Sequence, residues 1–219
     1  MVALMCWAWP GWAVPTGKAQ AAPVAAPVVA GPFRGDAAAG LLKSESERCQ
    51  ECHGADGQGA GHSNSAEGKF PKLAGQRPEY LVKQIEDFRS GARKHDFMAI
   101  MARSLDDADL VDIAAYFAAQ PRMQGDGTGV TPVAQRLYAE GDASRGITAC
   151  ASCHGEQGKG LPGNPAPLIG GQEWRYLDTQ LRAWRSGERR NSDGGVMNQV
   201  TRSLTEAEVQ ALVDYLAGL

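Results

Sequence analysis

Two short stretches carry the residues able to do chemistry. The first is Cys49-Gln50-Glu51-Cys52-His53, and the second half of the chain repeats it as Cys150-Ala151-Ser152-Cys153-His154. The C-x-x-C-H spacing is that of c-type haem attachment. Two thiols one helical turn apart can add to the two vinyl groups of one haem. The histidine that follows then lies beneath the ring and binds the iron. A thioredoxin-type cysteine pair needs no following histidine and sits in a βαβ setting, which the flanking sequence lacks. A zinc knuckle needs four convergent ligands, whereas each motif stands alone in its half of the chain.

An iron that changes oxidation state without losing a ligand needs a second axial donor. The methionine thioether serves, and it raises the potential by favouring Fe(II). Aligned on Ser104-Leu105 and Ser203-Leu204, the two halves place Met98 and Met197 at the same position, each on an expected loop before the last helix. Methionine more often fills gaps in a core, and the shared register is what argues for ligation here. Met101 aligns with Val200 and reads as an apolar wall residue. His95 aligns with Gly194, which cannot ligate, so it reads as a surface histidine, and His62 reads as solvent-facing. Each haem histidine also needs a carbonyl to accept its Nδ1–H. Pro71 and Pro167 are candidates to present one, with Pro165 second in the latter half; the alternative is that these prolines only stiffen their loops. Phe88, Tyr116, Trp184 and Tyr215 are expected to pack around the haems.

The elements that must position these groups follow from length and pattern. A chain of 219 residues holds one large domain or two small ones, and the repeat argues for two. A net charge of −3 with interspersed signs gives no basis for a nucleic-acid partner. Four of the five cysteines belong to the motifs, and Cys6 alone is left over. Residues 1–32 read as a secretory leader and an Ala/Pro-rich tether. Residues 33–120 read as the first domain, 121–132 as a linker and 133–219 as the second domain. Helical periodicity is expected from Asp36 to Arg48, from Pro78 to Gly91 and from Asp106 onward. The second half repeats this, with a helix over Val133–Ala149, another around Trp174–Trp184, and a last one opened by the capping box Thr205-Glu206-Ala207-Glu208. Gly75-Gln76 matches Gly171-Gln172, Tyr80-Leu81 matches Tyr176-Leu177, and Arg89-Ser90-Gly91 matches Arg185-Ser186-Gly187. The fold class is all-α, a tandem duplication in which each domain wraps around one covalent haem.

Taken together, the paired C-x-x-C-H-G motifs, the Gly-Gln and Tyr-Leu pairs, the Arg-Ser-Gly helix end and the Met–Ser-Leu spacing resemble the dihaem cytochrome c4 family. The resemblance spans roughly Asp36 to Leu219. It implies two class I cytochrome c domains related by a pseudo-two-fold axis and two covalently bound haem c groups. It further implies thioether bonds from Cys49, Cys52, Cys150 and Cys153, and axial pairs His53–Met98 and His154–Met197. The function it implies is electron transfer in the periplasm, without catalysis. A cytochrome bc complex or a dehydrogenase would be the donor and a haem-copper terminal oxidase the acceptor, with room for peripheral membrane association. Two other functions compete with it: a haem-bearing subunit of a dehydrogenase or oxidase complex, and a dihaem peroxidase. The peroxidase would need an open iron and acid–base residues, and the sequence offers no such constellation.

Acidified acetone should leave two haems on the polypeptide, because thioether bonds survive it. A mass corresponding to one haem or none is the contrary result.

Overall fold

The computed structural model of the protein describes residues 33–61 and 70–219. The expected leader and tether, Cys6 and His62 lie outside the described residues. Short polar side chains start the helices. The Asp36 carboxylate accepts from the amides of Ala38 and Ala39 and opens helix α1 (Ala37–Ser46). Arg48, left-handed at φ 62°, then turns the chain so that Cys49 begins the short helix α2 (Cys49–His53). Helix α3 (Pro78–Ser90) begins on the expected proline and ends where Gly91 adopts φ 81°. Helices α4 (Asp96–Ser104) and α5 (Asp107–Ala118) follow, α5 capped by Asp106.

The second half repeats the plan. Helix α6 (Pro132–Ala139) is capped by Thr131 and leads to α7 (Ala151–His154), α8 (Trp174–Ser186), α9 (Val196–Thr201) and α10 (Glu206–Gly218). The capping box at Thr205 and Glu208 is formed at the start of α10. The expected helix over Val133–Ala149 is shorter than its apolar pattern suggested and stops at Ala139. There Gly141 takes φ 72°, and Asp142 pairs with Ile147 in an isolated antiparallel bridge. A Cβ on Gly141 would sit 2.2 Å from the Ile147 carbonyl oxygen, so the close turn needs glycine. Among the described residues there is no β-strand beyond that bridge, and no helix is long and apolar enough to cross a membrane.

Each half closes on its own apolar centre. In the first, Leu105, Ile113, Tyr116 and Phe117 are buried, with Cys49, Leu81 and Ile85 packed against them. In the second, Leu137, Leu177, Leu204 and Leu212 take that part, with Cys150, Leu181 and Val200 alongside. The repeated Arg-Ser-Gly arginines hold the segment that leads into the last helix of each half. Arg89 donates to the carbonyls of Ala102 and Leu105 at 3.0 and 2.9 Å, and Arg185 donates to that of Leu204 at 3.3 Å.

A reciprocal seam joins the two halves. The Arg93 guanidinium lies over its own Phe88 ring at 4.6 Å and donates to Gln84 of its own half and to Tyr176 and Gln180 of the other. Arg189 lies over Trp184 at 4.3 Å and donates to its own Gln180 and to Tyr80 and Gln84 across the seam. The corresponding residues of the two halves thus exchange equivalent bonds about a local two-fold. The linker is laid down rather than left loose. The amides of Gly125 and Gly127 bond the carbonyls of Leu219 and Gly218 at 2.7 and 2.9 Å, and Met123 is buried.

Arg189→Met should cost about 1–3 kcal/mol, since it removes charge-assisted hydrogen bonds to Gln84 and Gln180, which keep only Arg93 and Asn191 as donors. Exposed Arg202→Met should cost less than about 0.5 kcal/mol. Denaturant unfolding of the haem-loaded protein checks both, and equal effects would show that the seam contributes nothing specific.

Candidate haem centres

In each half a short helix ends on the motif histidine, and the loop after it folds back. The Gly59 amide bonds the His53 carbonyl at 2.8 Å, and the Gly160 amide bonds that of His154 at 2.7 Å. The Gly57 carbonyl accepts from Leu73 and the Gly158 carbonyl from Ile169, both at 2.8 Å. These bonds bring the proline-containing segments beside the histidines. The ring nitrogen Nδ1 of His53 lies 2.8 Å from the Pro71 carbonyl oxygen, and that of His154 lies 2.8 Å from the Pro167 oxygen. A carbonyl can only accept, so in each neutral ring the proton is on Nδ1 and Nε2 keeps its lone pair for a metal. Pro165 does not take this part.

Burial pushes both histidines below their ordinary value, and the proline carbonyls oppose this only in part. The rings are therefore neutral at physiological pH, the form that ligates. Burial pushes the Cys49 and Cys150 thiols up to about 11. A redox-active pair of thioredoxin type has a lowered thiol, so this environment argues against that chemistry. None of Cys49, Cys52, Cys150 and Cys153 is in a disulfide. Among the described residues no group of three or more His, Cys, Asp and Glu side chains could hold a metal ion.

Met98 and Met197 are not on loops. Met98 is in the first turn of α4 and Met197 in the first turn of α9. The pattern concealed these helices because they are short and begin in polar, glycine-containing sequence. His95 is exposed, and its Nδ1 accepts the Met98 amide at 3.3 Å, so it caps the helix that carries Met98. Helix α9 starts at the left-handed Gly195 without a side-chain cap, and the Ser192 hydroxyl, five residues upstream, accepts the Met197 amide at 3.2 Å. Thr201, a residue without a part in the sequence reading, is buried and donates to the Met197 carbonyl at 2.7 Å. Asn198 ties α9 to the carbonyls of Trp184 and Arg189 at 2.7 and 2.8 Å. The only signal for these two was their place beside Met197.

Met197 lines one cavity with Cys150 and His154, walled by Ile169, Leu181 and Val200. A thiol, an imidazole with a free Nε2 and a thioether around one apolar space match a c-type haem. In the first half Cys49 packs against the equivalent cluster, beside Leu81 and Ile85. The expected aromatics are placed as follows: Phe88, Tyr116 and Trp184 are buried, and Tyr215 is partly buried against the second core.

The family model described as Cytochrome c matches residues 41–120 and 134–219. The chain belongs to the cytochrome c family. It is 38% identical over 187 residues to cytochrome c4 of Pseudomonas aeruginosa, covering 84% of this chain and 89% of that protein. It is also 38% identical over 175 residues to a protein of Stutzerimonas stutzeri named thiosulfate dehydrogenase electron acceptor, covering 78% of each chain. The crystal structure of reduced recombinant cytochrome c4 from Pseudomonas stutzeri superposes with a TM-score of 0.74 at 36% identity. It covers 85% of this chain and all of that one. This cytochrome carries two covalently bound haem c groups, one on each C-x-x-C-H motif. It transfers electrons and is not an enzyme.

His95→Asn should keep the α4 cap and leave the ligand-field spectra of both haems unchanged. His95→Ala should cost about 0.5–2 kcal/mol, the usual loss for an N-cap. Thermal melts and visible spectra of the two variants check this. A change of axial ligand in His95→Asn would show that His95, and not its cap, matters to the iron.

Proposed function

We propose that the protein is a periplasmic dihaem electron carrier with axial pairs His53–Met98 and His154–Met197. Its two domains span residues 33–120 and 133–219, joined by a linker over 121–132. One observation carries the reading: both motif histidines have Nδ1 tied to a proline carbonyl, which leaves Nε2 for a metal, and His154 and Met197 line one cavity. When bound, each haem supplies a one-electron iron couple. The chain's own residues set how that couple behaves. Cys49, Cys52, Cys150 and Cys153 fix the ring by thioether bonds, so the cofactor cannot be lost. The proline carbonyls hold each imidazole in one orientation and raise its basicity. Met98 and Met197 supply a ligand that suits both oxidation states. The apolar walls, such as Leu181 and Val200, keep water away. With both axial positions filled from the chain, neither site is open to peroxide or another substrate, which favours a carrier over a peroxidase.

Export rests on the leader-like residues 1–32 and on the chemistry of attachment, which in bacteria takes place outside the cytoplasmic membrane. The similarity to a protein named for accepting electrons from thiosulfate dehydrogenase favours a dehydrogenase as donor. A cytochrome bc complex is the other candidate donor, and a haem-copper oxidase the acceptor.

Met98→Ala should abolish the methionine-to-ferric charge-transfer band of one haem, and Met197→Ala that of the other. The protein should be reduced by a thiosulfate-oxidising dehydrogenase and reoxidised by a haem-copper oxidase in stopped-flow mixing, with no turnover of hydrogen peroxide. If Met101→Ala, and not Met98→Ala, removes the band, the first axial pair is misassigned. Rapid peroxide turnover would replace the carrier reading with an enzymatic one.

A further inference from the structure

The repeated Gly-Gln pairs have no part in either haem centre as described, yet both glutamines are buried at the seam, Gln76 to 4% exposure and Gln172 to 5%. Gly75 and Gly171 stand at φ 63° and 73°, with their amides held by the carbonyls of Phe117 and Leu216 at 2.9 and 2.8 Å. The turn sends each following side chain across to the other half. There the Gln172 amide pairs with both backbone groups of Lys72: its Oε1 accepts the Lys72 N–H at 2.7 Å, and its Nε2 donates to the Lys72 carbonyl at 2.9 Å. Gln76 pairs with Leu168 in the same way, at 2.9 and 2.8 Å. Each Oε1 also accepts the amide of the next residue in its own chain segment, Glu173 at 2.8 Å and Arg77 at 3.0 Å, which locks the rotamer.

The partners Lys72 and Leu168 directly follow Pro71 and Pro167. The Lys72 N–H and the Pro71 C=O belong to one peptide group, as do the Leu168 N–H and the Pro167 C=O. An unbroken chain therefore runs from Gln172 Oε1 through that peptide to His53 Nδ1, and a second from Gln76 Oε1 to His154 Nδ1. Hydrogen bonds in series polarise one another. An acceptor on the N–H makes the C=O of the same peptide a stronger acceptor. That draws the Nδ1 proton further from the ring and makes Nε2 the better donor to iron. A more electron-rich ligand favours Fe(III) and lowers the potential.

We propose that Gln76 and Gln172 are crossed positioning residues: each half tunes the haem of the other through the peptide that accepts the haem histidine's proton. The inference rests on His53 and His154 being iron ligands, as proposed above. It also assigns a role to the seam. Docking of the two halves does more than bring the haems near each other, because each centre's hydrogen-bond network is completed by its neighbour.

The test is the potential of each haem in Gln172→Met and Gln76→Met, measured on the haem-loaded full chain by NMR-monitored redox titration. Haem methyl signals are assigned to each half through their contacts with its side chains. Gln172→Met should raise the potential of the haem on Cys49 and Cys52. The expected size is about three- to tenfold in its reduction equilibrium, up to roughly 60 mV at 59 mV per tenfold. The haem on Cys150 and Cys153, in the same half as Gln172, should move much less. Gln76→Met should give the mirror pattern. A shift confined to the substituted half, equal shifts in both, or no shift would overturn the proposal. If the Met variants do not accumulate as holoprotein, Gln172→Glu serves instead. It keeps an oxygen for the Lys72 N–H and should lower the potential of the first haem, and an unchanged or raised potential would overturn the proposal equally. The hyperfine-shifted ring protons of His53 and His154 in the unsubstituted protein separate the two levels. If they are missing, the ligand assignment fails; if they are present and the potentials do not cross-respond, the tuning fails.

Discussion

The hydrogen bond from each motif histidine to a proline carbonyl is the constraint on which the rest of the structure depends. An imidazole can meet iron squarely only if its other nitrogen is held, and the short helices α2 and α7 hold only the backbone of that residue. The ring is fixed from outside the helix, by Pro71 and Pro167. Proline suits the position because its φ is restricted and it brings no amide of its own to be satisfied. The glycine-rich loops that follow each motif bring those carbonyls back, using the backbone of Gly57 and Gly158 as anchors. What looks like permissive loop sequence is in this respect tightly specified.

Around that constraint each half is a small helical domain with its own apolar cluster, and a covalent haem adds to the modest core that a domain of this size buries. The halves then meet through polar contacts. Arg93 and Arg189, stacked on Phe88 and Trp184, share Gln84, Gln180 and two tyrosines. All of these acceptors are neutral oxygens. The donors of both guanidinium groups are satisfied by amides and phenols from both sides. Removing either half would leave the other with buried donors or acceptors unmet. The pair is therefore a unit, with the linker packed onto the end of α10.

The sequence by itself determined the chemistry. C-x-x-C-H is a local motif, and its two thiols and histidine are held by five consecutive residues whatever the rest of the chain does. The strong helices were legible for the same reason: Pro78, Gly91, Asp106 and the Thr205 capping box are local signals satisfied within one turn. The repeat gave a register in which Met98 and Met197 share one position, and the need to hold each motif histidine made Pro71 and Pro167 candidates, the carbonyls that the structure places beside the rings.

What tertiary structure decided lies beyond the reach of local signals. That α6 ends at Ala139 depends on the close approach of Gly141 to the Ile147 carbonyl, and the apolar pattern of the segment does not record it. That His95 caps the helix bearing Met98 and that Ser192 accepts the Met197 amide depends on α4 and α9 forming at all. Helices of six and nine residues are marginal alone and exist because they pack on α8 and α3. The seam is the clearest case. Gln76 and Gln172 were visible as repeated letters, whereas Arg93 and Arg189 carried no signal. Only the placing of one half against the other shows that each glutamine reaches the peptide serving the opposite haem. Contacts between residues nearly a hundred positions apart are set by how two surfaces fit, and no spacing along the chain encodes that fit.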